Sequence, residues 1–205
     1  MTTLVINLIN DFLKTVEEIY AVFLDSSHGF YLVHQQLTLS QLNTIQKNKE
    51  VQTDLNKLEY LDSLPFFYGK GNPNDVGSYI LHKGTQGELK KRNQKDGNNY
   101  RFAGNMCLVN IYQYWEDYYR YEIAKVIGIE KSNVKIPIMG DINKLRRSII
   151  HHNGIALDDV ERTEILKWFK VGDEIYIDEK KMDELIMQIQ NGFELFFGEF
   201  NNKPA

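Results

Sequence analysis

Residues 4–24 place Leu4, Leu8, Phe12, Val16, Ile19 and Phe23 at spacings of three and four, and Ile9, Leu13 and Tyr20 widen the same stripe. On a helix these side chains share one face, which has to be buried against other elements. The spacing returns at 105–127 (Met106, Val109, Tyr112, Trp115, Tyr119, Ile123, Val126), at 139–152, and after Asp178 (Met182, Leu185, Ile189, Phe193, Phe196). Prolines occur only at 65, 73, 137 and 204, so three long stretches lack this helix breaker. Gly128 and Asn153-Gly154 stand where helix C-termini need a left-handed residue, and Asp178 where the last helix needs an N-cap. The fold class that follows is mainly all-α, an antiparallel helical bundle.

With 205 residues, 42% of them hydrophobic, the chain reads as a single helical domain over 1–205. Residues 30–61 read as mostly helical, after a break at Ser26-Ser-His-Gly29 and with an exposed polar stretch at 46–54. Residues 62–104 differ: seven of the 14 glycines lie between 69 and 104. That composition predicts a long irregular insertion with a short strand at 78–82. At 165–177 two β-rich runs flank Gly172-Asp173, which predicts a small β-hairpin or arm before the last helix.

The 24 Lys+Arg against 28 Asp+Glu give a net charge of −4, which argues against coating nucleic acid by bulk charge. The charge is segregated, however. Residues 83–101 hold six cations against Glu88 and Asp96, a net +4 that leaves −8 for the rest of the chain. Lys90, Lys91 and Arg92 of this basic segment are candidate contacts to RNA phosphates, with a solvated loop as the plain alternative. A single cysteine excludes a disulfide framework and a cysteine-built zinc site, and Cys107 reads as a buried small residue in an apolar helix. His28, His34 and His82 lack ligand-like spacing, so neither metal nor cofactor is expected. The N-terminus lacks secretory-signal features, and no apolar run approaches the roughly 20 residues that cross a bilayer. A soluble cytoplasmic protein with no membrane partner is expected.

Chemistry concentrates in Leu145-Arg-Arg-Ser-Ile-Ile-His-His-Asn-Gly154. Arginine offers a permanent charge and a planar donor fork suited to phosphate, and histidine moves protons near neutral pH. Together they are parts for cleaving a ribose-linked phosphodiester without metal. At roughly 100° per residue, Ile142, Leu145 and Ile149 form one apolar stripe. His152 falls at its edge, Arg146 on its other border, and His151 on the far side near Arg147 and Lys144. The bland reading is an ordinary polar helix face ending in an Asn-Gly turn.

That run resembles the signature of the HEPN superfamily, an arginine followed after four to six residues by a histidine. In the best register Arg146 is the arginine, Arg147 occupies the polar position, Ile149-Ile150 are the apolar pair, His151 is the histidine and Gly154 the trailing glycine. His152 stands where asparagine is frequent and Asn153 is displaced by one, so His152 also satisfies the spacing. The preceding Tyr114-Trp-Glu-Asp-Tyr-Tyr-Arg-Tyr-Glu-Ile-Ala-Lys125 and the following Phe169–Asp178 segment extend the resemblance over about residues 105–197. The resemblance implies a helical bundle that forms a homodimer, with the Arg/His helices of two copies facing one composite cleft. It implies a metal-independent endoribonuclease of toxin–antitoxin or antiviral defence, with RNA as substrate and an antitoxin or defence protein as partner. Family members that have lost catalysis bind nucleotide, RNA or a partner protein instead. The roles implied are phosphate binding by Arg146 with Arg147 assisting, general acid/base catalysis by His151, and shaping of the site or dimer interface by His152 and Asn153. Glu116 and Arg120, an i, i+4 pair, are placed by the resemblance facing that site; as residues alone they read equally as a surface ion pair.

Overall fold

The computed structural model describes residues 2–47, 54–72 and 75–201. Its elements are α1 (Thr2–Lys47), α2 (Asp54–Ser63), β1 (Pro65–Lys70), β2 (Tyr79–Thr85), α3 (Gln86–Asn93), α4 (Asn98–Tyr114), α5 (Arg120–Ile127), α6 (Pro137–His151) and α7 (Glu179–Asn201). The fold is mainly all-α, and none of the described helices is long and apolar enough to cross a membrane. Contacts group the chain into two compact units, one of residues 1–25 and 101–205, the other of residues 26–100.

The first unit holds the predicted apolar stripes. Phe12, Trp115 and Phe193 meet with ring centres 5.0 to 5.6 Å apart. Around them Leu108, Ile111, Ile123, Ile142, Leu145, Leu185 and Ile189 are fully buried. Between α4 and α5 the backbone passes through a π-helical turn, Trp115–Tyr119, without leaving the helical path. Gly128 ends α5 at φ +73°, and the Asp178 carboxylate accepts from the Lys181 amide at 2.9 Å to start α7. Pro137 opens α6, where its missing N–H costs nothing.

The two β-rich runs of 165–177 do not pair with each other as a hairpin. Gly172 turns the chain at φ +87°, but the run then lies against residues 154–156. The Ala156 amide donates to Asp173 O, the Gly172 amide to Ala156 O and the Ile175 amide to Gly154 O (2.7–2.9 Å), leaving one isolated bridge, Ile155 with Glu174. The segment is an arm laid on the end of α6.

The second unit departs further from the sequence reading. α1 runs unbroken through Ser26-Ser-His-Gly29, because weak formers cost about 1 kcal/mol each at most while extending a formed helix is cooperative. The polar stretch expected at 46–54 lies mostly outside the described residues. Residues 62–104 are not irregular: β1 and β2 form an antiparallel ribbon, Thr85 and Glu88 close a capping box at α3, and α4 begins at Asn98. The strand expected at 78–82 is β2. The unit is tied by a polar network in which buried Gln41 donates to Asp62 (2.9 Å) and Gln86 (3.0 Å) and accepts from Lys90 Nζ (2.8 Å).

Candidate functional site

Helix α6 carries the Arg/His run, and its apolar stripe fixes how that run is presented. Ile142, Leu145 and Ile149 are buried, which leaves Arg146 half-buried on one flank and exposes Arg147, Ile150, His151 and His152. Five residues at about 100° each put Arg146 and His151 about 140° apart around the helix. Both therefore sit at one end of α6, but they leave it in different directions.

The Arg146 guanidinium lies over the Tyr112 ring of α4, 5.6 Å from its centre. Its Nε is buried without a hydrogen-bond partner, and it pairs with no carboxylate among the described residues. Arg147 behaves differently, donating to Asp159 together with Arg162.

Glu116 lies in the π-helical turn and is a hub. It takes ion pairs from Arg120 and Lys131, both at 2.8 Å, and a hydrogen bond from the Tyr112 hydroxyl at 3.3 Å. Burial alone would push its carboxyl up, but Lys131 and Arg120 outweigh that and hold it below the usual carboxylate range. Arg120 also donates through Nε to Val134 O at 3.0 Å. Burial, reinforced by the Glu116 charge, pushes the Tyr112 hydroxyl up to about 12, so it remains a donor. Tyr112, Arg120, Lys135, Asn143, Lys144 and Glu164 border a cleft of about 390 Å³ beside α6, a lining with three cations and one carboxylate.

The histidine end is shaped by a residue the sequence reading passed over. Ser148 O accepts the His152 and Gly154 amides at 3.2 and 3.1 Å, and Ser148 Oγ accepts the Leu157 amide at 3.1 Å. Asn153 (φ +51°) and Gly154 (φ +80°) then reverse the chain. His151, His152 and Asn153 are exposed on this turn.

A second overlooked residue is Asp141, fully buried in the first turns of α6. Its carboxylate accepts the amides of Glu164, Ile165 and Leu166 at 2.7–3.0 Å and the Lys144 ammonium at 2.9 Å. Burial would raise its carboxyl, but the Leu166 and Ile165 amides, with Lys144, hold it below the usual range. Both residues could have been found on the helical wheel, where they border the apolar stripe on the side of His152 as polar side chains that need partners.

The basic segment is divided. Lys90 is bound to Asp62 (2.6 Å) and Gln41, Arg92 stands 6.0 Å over the Tyr68 ring and 2.8 Å from His82 Nε2, and Lys91 is exposed. Burial pushes the Cys107 thiol up to about 11, which removes its nucleophilicity at neutral pH. Among the described residues no group of three or more His, Cys, Asp or Glu side chains is placed to hold a metal ion. Compared with protein-family models, curated proteins and solved structures, the chain matches none.

Proposed function

We propose that the chain is a HEPN-like endoribonuclease that cleaves RNA by attack of the 2′-hydroxyl, acting as a homodimer in toxin–antitoxin or antiviral defence. One observation carries the reading: Arg146 has an unpartnered buried Nε and no carboxylate, and an exposed histidine, His151, follows five residues later at the end of the same helix. A guanidinium kept free of carboxylates on an aromatic face is available to an anion. The 140° between the two side chains suits a cleft completed by a second copy better than a site within one chain.

In this reading the 2′-oxygen attacks phosphorus and the bond to the 5′-oxygen breaks. His151 of one copy takes the 2′ proton, and protonated His151 of the other gives a proton to the leaving oxygen. Arg146 balances the charge that builds on the phosphorane, with Arg147, which is paired with Asp159, assisting. The products are a 2′,3′-cyclic phosphate and a 5′-hydroxyl.

The test incubates wild type, Arg146→Ala and His151→Ala with mixed RNA and with DNA in excess EDTA, each shown to be folded and of equal oligomeric state. Loss of about 100-fold or more in each variant, with DNA untouched, is the expected result. Equal cleavage by all three would remove the site, and no cleavage by any would leave a non-catalytic module that binds nucleotide, RNA or a partner protein.

A further inference from the structure

Two carboxylates set the border of the cleft beside α6. Asp141, fully buried, accepts the Lys144 ammonium at 2.9 Å and the Glu164 amide at 2.9 and 3.0 Å, which fixes both residues at the cleft. Glu116 holds Arg120 at 2.8 Å, and because Lys131 shares that carboxylate the group keeps an excess of positive charge. Three lining groups are left unused. Among the described residues Lys135 and Glu164 make no ion pair, and the Asn143 side chain makes no hydrogen bond.

The floor of the cleft is bare. Gly140 borders it, and a Cβ there would meet nothing within 4 Å, so the α6 backbone lies open to a flat ligand. At about 390 Å³ the cleft has the size of a small-molecule site. It adjoins Arg146 in two ways. Tyr112 borders the cleft and carries the Arg146 guanidinium 5.6 Å from its ring centre. Asn143 precedes Arg146 by three residues, about 60° around α6 and roughly 4.5 Å along it.

We propose that the cleft seats one guanine nucleotide of the RNA strand, next to the phosphate bound by Arg146. Its place beside that phosphate rests on the α6 reading above. Cations alone would suit any phosphate, and the one free carboxylate decides the base. An ionised carboxylate only accepts hydrogen bonds. Guanine is the base whose Watson–Crick edge offers two adjacent N–H donors, N1–H and the 2-amino group, with the acceptor O6 beside them. Glu164 takes the two donors, Asn143 donates its amide N–H to O6, and Lys135 meets the nucleotide's own phosphate. Adenine and cytosine each set one amino donor beside an acceptor that the carboxylate repels, and uracil sets its single N–H between two carbonyls.

The test titrates the full chain with labelled 2′-O-methyl hexanucleotides, which lack the attacking hydroxyl and stay intact, and follows fluorescence anisotropy. Each is a uridine strand with one central guanine, inosine, adenine or cytosine. The guanine strand is expected to bind about tenfold or more tighter than the adenine and cytosine strands, with inosine, which lacks the 2-amino group, in between. Glu164→Gln, whose amide accepts one bond but donates the other, is expected to bring that preference below about threefold. Gly140→Leu favours helix but fills the floor, and is expected to weaken the guanine strand about tenfold or more. Circular dichroism and thermal melts check the fold of each variant. Equal affinity for the four strands, or binding of none, overturns the proposal, as does a guanine preference that survives in Glu164→Gln. Cleavage of 2′-hydroxyl RNA is read separately on the wild type. Guanine-selective binding without cleavage sinks the α6 chemistry alone, and cleavage without regard to guanine sinks the guanine seat alone.

Discussion

The guanidinium of Arg146 rests 5.6 Å from the centre of the Tyr112 ring, a contact between helices 34 positions apart in sequence. Cation–π contacts are worth about 0.5–2 kcal/mol, and this one orients a charge that has no carboxylate to hold it. On the proposed function, Tyr112→Leu is therefore expected to lower RNA cleavage by about tenfold, and Tyr112→Phe, which keeps the ring, by less than about threefold. The rates are compared at matched thermal stability. Equal losses in the two variants would assign the effect to the hydroxyl and its bond to Glu116 instead.

Asp141 ties α6 to the chain beyond its own end, through the amides of residues 164–166 and the Lys144 ammonium. Asp141→Asn keeps the size but offers an N–H where acceptors are needed, and about 3 kcal/mol of stability is expected to go. The folded carboxyl lies below its ordinary 3.8. The wild type should thus have this stabilisation in full above about pH 4 and lose it as the pH falls through the lower, folded value. Urea unfolding from pH 7 to pH 2 should show that limb flattened in Asp141→Asn.

What could be read from sequence was what is local. The stripes of α6 and α7, the left-handed stop at Gly128 and the cap at Asp178 depend on residues within a turn or two of one another. Of the ribbon only β2 was legible, as the strand at 78–82; β1 escaped because Phe66, Phe67 and Tyr68 show no alternation between apolar and polar. Its register depends on a bulge that glycine-rich composition only hints at. The run through Ser26-Ser-His-Gly29 was misjudged because helix continuity is cooperative and residue preferences are weak. Asp141 and Ser148 border the apolar stripe on the wheel as polar residues that need partners, but most of those partners are backbone amides that only the folded chain identifies. For the same reason Arg146 and His151 could be placed on one helix from sequence, whereas Tyr112 beneath Arg146 could not.

Two glycines in helices should respond in opposite ways to the same substitution. At Gly104 an added Cβ would stand 2.0 Å from Ile177 O, where Asn105 also bonds Ile175 O (3.0 Å) and the Ile177 amide (3.1 Å) to hold the arm on α4. Gly104→Ala is expected to cost about 2–3 kcal/mol or more, because α4 and the arm must separate. At Gly140 in α6 a Cβ meets nothing within 4 Å, and Gly140→Ala should add about 0.5–1 kcal/mol. Thermal melts of the two variants decide this, and a loss at Gly140 would mean that the helix start packs differently.

Glu116 is the residue where a catalytic and a positioning role can be told apart. Its carboxylate is engaged by Arg120, Lys131 and Tyr112, and with its carboxyl held below the usual range it stays ionised near neutral pH. A proton donor in cleavage would need a raised value, so its expected part is to orient Tyr112 and, through that ring, Arg146. Glu116→Gln should cost about 1 kcal/mol of stability, since two part-buried ion pairs are weakened but hydrogen-bond acceptance survives. Cleavage should fall by less than about threefold, with the pH–rate profile unmoved. A profile that loses its acid limb in Glu116→Gln would show that Glu116 transfers a proton, and would place it with His151 among the proposed reacting groups.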